Sequence, residues 1–271
     1  MKRHLTALFL LPCLWSTNPC LASEEQANRF EWQVELGVAS YYTNSLLKGM
    51  ESTYSYPVGP LLNVHLKYWR LFLEPQSYLR SKLSQSHIAG FKVYENSDQQ
   101  LALVVDHHHL GFGPNDPYWR IDAHDGLNTR KDDASLGLRY QHQGANTLWS
   151  FQINQGIRAH SGTIAQLFYG YRQELRNWDL FFNIEASYFT AEVVNYYYGV
   201  SDQESRPGRP SYKASAGQRL HLGMIGAYPL TQRWYTELGT GVNFYSRAFN
   251  DSPLTRQRPE FINFATLRYV F

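Results

Sequence analysis

Past its N-terminal segment the chain has no run of about 20 apolar residues, the length a helix needs to cross a bilayer, which excludes a helical membrane protein. Cysteine is nearly missing: the 271 residues include two, Cys13 and Cys20. Both precede Ala22, where cleavage of an export signal is expected, so the mature chain can form no disulfide and offers no thiolate to a metal. An excess of one charge is also lacking, since 25 Lys and Arg stand against 23 Asp and Glu for a formal net charge of +2. Arg206, Arg209 and Arg219 are spread out and diluted by acidic neighbours. A stripe that tracks nucleic-acid phosphates is thereby excluded.

What is present begins with an export signal. Lys2, Arg3 and His4 precede the apolar stretch Leu5 to Trp15, and Pro19, Cys20, Leu21 and Ala22 lead into Ser23, Glu24 and Glu25. Charge, short apolar core and small residue, in that order, form a secretory signal peptide over residues 1–22. Neither Leu11-Pro12-Cys13 nor Asn18-Pro19-Cys20 has the small residue that lipid attachment wants before its cysteine. The domain expected for residues 23–271 is a single one.

Aromatic residues make up 15% of the chain, with 20 Tyr against 3 Met, while the mean hydropathy is −0.45. A β-barrel in lipid tolerates a hydrophilic average because only alternate residues need be apolar, and its two interfaces take Tyr and Trp. Alternation recurs along the chain. Trp32, Val34, Leu36 and Val38 interleave with Gln33, Glu35 and Gly37, and Leu62, Val64 and Leu66 with Asn63, His65 and Lys67. Similar faces run through Leu136 to Tyr140, Ala165 to Tyr171, Trp178 to Tyr188, Leu220 to Met224 and Trp234 to Phe244. The last segment sets Phe261, Ala265, Leu267, Tyr269 and Phe271 against Thr266 and Arg268. A chain that stops on such a strand needs a neighbour for its backbone groups, and a closed barrel supplies one.

Spacing of the connections points the same way. Leu230 to Gln232, Asn177 and Gln143 to Asn146 are short, whereas Thr43 to Pro60, Gly113 to Asp132 and Tyr196 to Ser211 are long. Short turns on one rim and long loops on the other are the outer-membrane arrangement. With less regular strands around Leu71 to Leu83, His87 to Glu95 and Gln100 to Leu110, the expectation is an all-β transmembrane antiparallel barrel of about 12 strands, with 10 as the alternative, in the outer membrane of a Gram-negative cell. An even count puts both termini in the periplasm.

Candidate chemistry is thin. Tyr140 to Asn146 sets His142 near Asn146, as in a barrel phospholipase, but no serine stands two residues beyond His142 to be activated. Asp122, His124 and Asp125 have the residue types of an omptin-like site, yet they share one loop. Asp106, His107, His108 and His109, read as strand residues, would point alternately to opposite faces and not converge on one ion. No catalytic residue, cofactor-binding residue or metal ligand is therefore assigned. Arg206, Arg209 and Arg219 offer contacts to lipopolysaccharide phosphates at the outer rim.

The stretch NYYYGVSDQES, Asn195 to Ser205, is followed by RPGRPSY, Arg206 to Tyr212, and later by Asp251-Ser252-Pro253 and the strand ending at Phe271. Together these resemble the MipA/OmpV family of outer-membrane proteins. Tyr41 to Val64 is similar to the family's first loop and second strand, and Asp132 to Tyr140 to its middle region. Where the family often has an acidic or Gly-rich first loop, this chain has Lys48-Gly49-Met50-Glu51. The resemblance implies a non-enzymatic scaffold without cofactor that holds a murein lytic transglycosylase and a murein synthase together during wall growth. Strand parity puts the YYYGV stretch near the outer rim, so partner contacts fall to short periplasmic turns such as Leu230 to Gln232. Two other readings remain: a small-solute channel lined by Arg139, Gln141, Arg172, Glu185 and Glu237, or a surface adhesin.

Overall fold

The computed structural model describes residues 30–50, 55–75, 87–114 and 122–271. The expected signal peptide and its cleavage site lie outside the described residues, as does the part of the third predicted strand beyond Pro75. Twelve strands follow in chain order: β1 (Glu31–Thr43), β2 (Tyr56–Tyr68), β3 (Leu71–Pro75), β4 (His87–Glu95), β5 (Gln99–Asp106), β6 (Ser135–Gln143), β7 (Thr147–Gly156), β8 (Thr163–Leu175), β9 (Trp178–Phe189), β10 (Gly217–Pro229), β11 (Trp234–Tyr245) and β12 (Glu260–Val270). Helix α1 (Ala191–Tyr198) sits between β9 and β10, and the single turn α2 (Arg247–Asn250) between β11 and β12.

Each strand pairs with its sequence neighbours, and β1 closes on β12, giving a twelve-stranded antiparallel barrel. The closing register runs from Glu35 opposite Val270 to Thr43 opposite Ile262. Closure removes both sheet edges, which lipid would otherwise leave without hydrogen-bond partners. At this seam Gly37 faces Arg268. A Cβ on Gly37 would lie 2.1 Å from the Leu267 carbonyl oxygen, so the close approach of β1 to β12 needs a residue without one.

The predicted alternation sorts side chains as expected. Leu36, Val38, Leu136, Leu138, Leu167 and Leu238 are 45–53% exposed on the outer face. Exposed apolar side chains recurring around a whole ring of strands are a lipid-facing surface. Inward stand Glu35, Asn63, Arg139, Gln152, Glu185, His221, Asn243 and Arg268, all buried. Aromatic pairs ring the rim that carries the short turns: Trp69 with Phe91, Tyr140 with Trp149, Trp178 with Tyr228, and Trp234 with Tyr269. Rings with an apolar body and a polar tip suit this headgroup level.

Connections alternate between the rims. Trp69-Arg70, Asn96 to Asp98, Gly144 to Asn146, Arg176-Asn177 and Leu230 to Arg233 are short and share the rim with the start of β1 and the end of β12. Trp69 (φ 53°) and Arg176 (φ 58°) take the left-handed conformation that tight hairpins require. The opposite rim carries the long loops, including 107–134 and 190–216. One boundary differs from expectation: β5 ends at Asp106 and not near Leu110. Past it the chain leaves the sheet and Phe112 pairs instead with Arg130, their backbone groups bonded at 2.9 and 2.7 Å.

Candidate functional site: a capped, charge-lined lumen

Arginine at membrane depth is tolerated when it faces the barrel interior and meets a carboxylate. Arg268 on β12 donates to Glu35 on β1 (2.8 Å) and to Glu237 on β11. Glu35 also accepts from Asn63 (2.9 Å) and Gln33 (2.8 Å). Arg139 reaches Glu74 at 2.5 Å and lies over the Phe72 ring. Arg172 donates to Asp179 through Nε (3.1 Å) and Nη2 (2.8 Å). Arg219 donates to Glu185 (2.8 Å) and Ser187 (2.9 Å). Arg139, Arg172, Glu185 and Glu237 thus face the lumen as predicted. Arg219 corrects an expectation: it stands inside the barrel with its charge neutralised, where it cannot meet lipopolysaccharide phosphates.

The outer mouth is capped. Val193, Val194, Tyr197 and Tyr198 of α1 are buried. They share one apolar cluster with Leu46, Leu47 and Met50 of the β1–β2 loop, Phe112 and Leu127 of the β5–β6 loop, and Phe249 and Leu254 of the β11–β12 loop. Loops from separate parts of the ring can form one cluster only by meeting across the mouth. Polar pins hold them there. Ser252 donates to the Tyr198 carbonyl (2.6 Å), and Lys48 N–H to the Leu254 carbonyl (2.9 Å). Arg130 of the β5–β6 loop makes a two-pronged bond to Glu204 of the β9–β10 loop, at 2.9 and 3.1 Å. Glu204 also accepts from the Ser201 amide and hydroxyl, each at 2.9 Å. Burial works against its charge, but these donors hold its carboxyl at about 2. The YYYGV and ES residues singled out in the sequence are therefore cap residues.

Beneath the cap a small cavity is lined by His107, His108, His109 and Asp133 together with aromatic side chains. His109 stacks on Tyr197 with ring centroids 3.8 Å apart, donates through Nδ1 to the Leu110 carbonyl, and faces the Tyr198 hydroxyl through Nε2 at 3.2 Å. Burial drives its pKa down to about 4, so the ring is neutral. The three consecutive histidines are not strand residues alternating between faces. They follow the end of β5 and all border the cavity, although no group of three His, Cys, Asp or Glu among the described residues is placed to hold a metal ion.

The family model for MltA-interacting protein MipA matches residues 36–271. The chain belongs to the MipA family. It is similar to the putative outer membrane protein YiaT of Escherichia coli strain K12, 23% identical over 96% of this chain and 95% of that protein. Outer membrane protein Omp26La of Vibrio anguillarum is 28% identical over 54% of this chain. Outer membrane protein OmpV of Vibrio cholerae serotype O1 is 27% identical over 54%. Each of these two matches covers 57% of the Vibrio protein's own length. With the barrel and its lipid-facing belt, these relatives identify the MipA-family chain as an outer-membrane protein.

The remaining candidates are placed by the same cap. Arg209 is buried and donates to the carbonyls of Ala123 (3.2 Å), Asp125 (2.9 Å) and Glu204 (2.9 Å), which removes it from the lipopolysaccharide contacts expected of it. Arg206 is exposed and reaches the Asp122 carbonyl at 3.3 Å. Asp122 and Asp125 thus serve this cap through their backbones, while His124 is buried with its ring 5.0 Å from that of Phe112. The three do share one loop, and apolar packing of His124 and Leu127 against Phe112 draws it inward. His142 lies by Trp149 near the short-turn rim. The cap itself was missed in the sequence, where its signal was helical spacing of Val193, Val194, Tyr197 and Tyr198 inside a supposed loop.

Proposed function

We propose that this MipA-family barrel is a non-enzymatic, non-conducting scaffold that holds a murein lytic transglycosylase and a murein synthase together at the periplasmic face of the outer membrane. The observation that carries this reading is the cap. Four outer loops pack into one apolar cluster over a lumen whose arginines are each neutralised, an arrangement suited to rigidity and not to free diffusion. The family description supplies the transglycosylase as partner class. The docking face is the short-turn rim, where Trp69 and Leu230 are about half exposed beside Arg70 and Arg233. The test is co-purification of the native barrel with a purified MltA-type transglycosylase, with and without Trp69→Ala and Leu230→Ala. Capture by the native protein and its loss in the variants support the scaffold. No capture by the native protein overturns it.

A second reading is a small-solute channel, favoured by the polar wall of Arg139, Gln141, Arg172, Glu185 and Glu237. Planar bilayers separate the two, because a scaffold gives no discrete conductance steps and a channel does.

A further inference from the structure

Two carboxylates border the cavity beneath the cap, and they differ in one respect. Glu260 is saturated: it accepts from the Leu46 amide (3.1 Å), Asn243 (2.9 Å) and the Tyr245 hydroxyl (2.7 Å). Asp133 is as deeply buried, yet neither of its carboxylate oxygens has a hydrogen-bond partner among the described residues. The nearest candidate, His160 Nε2, stands 3.5 Å away, too far for a strong bond. His160 accepts from the Gly162 amide through Nδ1 at 3.2 Å, which fixes its ring beside Asp133 without closing that gap. The guanidinium on the cavity wall, Arg219, is committed to Glu185 and Ser187.

A buried anion without a donor is strongly disfavoured unless something compensates it. Burial pushes the Asp133 carboxyl up, but the facing His160 ring, with His108 nearby, holds it below the usual carboxylate range. It is therefore an ionised carboxylate that borders the cavity without a strong donor. The rest of the wall is largely apolar, with Tyr197, Tyr198, Tyr245, Phe189 and Phe249 contributing rings among aliphatic side chains. A carboxylate among π-faces is the environment that favours an organic cation. A metal ion fits poorly, since no three ligating groups converge among the described residues. The volume, about 70 Å³, has room for only a few non-hydrogen atoms.

We propose that the cavity beneath the cap is a binding site for a small primary ammonium ion, anchored by Asp133 and enclosed by the rings of α1 and the barrel wall. The ammonium donates to the Asp133 oxygens, and its short carbon stem lies against Val193 and Ile164, which also line the cavity. The site is independent of the scaffold reading, because it faces the capped end and not the short turns.

Ethanolamine hydrochloride, titrated calorimetrically at constant ionic strength into the full-length barrel in detergent micelles, tests this. The native protein should give saturable heat. Asp133→Asn should bind at least about tenfold more weakly, the loss of one charge-assisted bond. Val193→Leu keeps the carboxylate but fills space, and should also weaken binding. Potassium chloride in place of the amine should give no saturable heat. Four results would overturn the proposal: no saturation by about 50 mM, below any useful affinity; equal affinity in Asp133→Asn; unchanged affinity in Val193→Leu, which also decides the matter if Asp133→Asn fails to fold; or equal saturation by potassium.

Discussion

Arg130 and Glu204 lie 74 positions apart and meet through two parallel hydrogen bonds, side chains almost wholly buried, at the outer end of the barrel. Arg130 also donates to the Gly199 carbonyl at 3.1 Å, so one side chain ties the β5–β6 loop to both ends of the YYYGV-to-ES segment. Breaking a buried pair from one side strands the other charge, at a cost of about 3–5 kcal/mol. Arg130→Ala should therefore loosen the cap while the barrel, held by its strand ladders, stays folded. Limited proteolysis of the purified variant checks this: cleavage within residues 190–216 should rise, with the heat-modifiable barrel band unchanged.

The same pair predicts a pH effect of definite sign. The Glu204 carboxyl is held at about 2 in the folded cap against an ordinary value of 4.5. A depressed acid stabilises fully above the ordinary value and loses that contribution as pH falls through 4.5 toward 2. Cap protection from an acid-active protease should accordingly fall between those limits. In Glu204→Gln it should already be weak at neutral pH, and that part of the pH dependence should disappear.

How much of this was legible in sequence depends on which solvent each residue meets. Along β12 the alternation of Phe261, Ala265, Leu267 and Tyr269 with Thr266 and Arg268 names both faces, because lipid and lumen differ as sharply as two phases. The same parity extends to Arg219, two residues before His221 and therefore inward, although its place beside a long loop suggested the rim. The cap follows other rules. Val193, Val194, Tyr197 and Tyr198 repeat at helical spacing within a segment bounded by strands, and short helices are easily hidden among loops. Nothing local in His107 to His109 tells that β5 has ended, since their inward turn depends on Phe112 pairing with Arg130 and packing under α1.

The closing seam makes a sharper demand on sequence than the rest of the wall. Gly37→Val should hinder barrel closure, because its Cβ would run into the backbone of Leu267 and Arg268 at 2.1 and 2.7 Å. Backbone cannot move aside without breaking the β1–β12 ladder. The expected outcome is a lower yield of the heat-modifiable form in refolding, while Gly208→Ala, a glycine with open space about it and so a control for substitution in general, should cost only the strain of its φ of 82°. Normal refolding of Gly37→Val would show that the β1–β12 seam has room for a side chain at this position.

Lumenal charge can be tested in the same way. Arg268 is shared by Glu35 and Glu237, so Arg268→Ala leaves two acids without their cation, whereas Glu237→Gln removes one acid and keeps the Glu35 contact. The first should destabilise the barrel by about 3–5 kcal/mol and the second by much less. Denaturant midpoints in micelles measure both. Equal losses would mean that the pairs act separately and not as one shared site.

Phe271 finishes the chain beyond the last strand residue, yet it is still part of the wall. Its amide donates to the Val34 carbonyl at 3.0 Å, and its ring meets that of Tyr269 at 4.8 Å, at the rim where the aromatic girdle runs. Removing Phe271 deletes one seam hydrogen bond and one interfacial ring at the place where β12 must find β1. Both losses fall on the closing step, so the effect should be larger on assembly than on the stability of barrels already formed. Membrane fractions should contain less folded, heat-modifiable protein from the truncated chain, while the thermal midpoint of the material that does insert stays close to that of the full chain. Phe271→Tyr, which keeps the ring and the amide, should restore the yield; if Phe271→Ala restores it equally, the ring has no part in closure and the amide alone accounts for the loss.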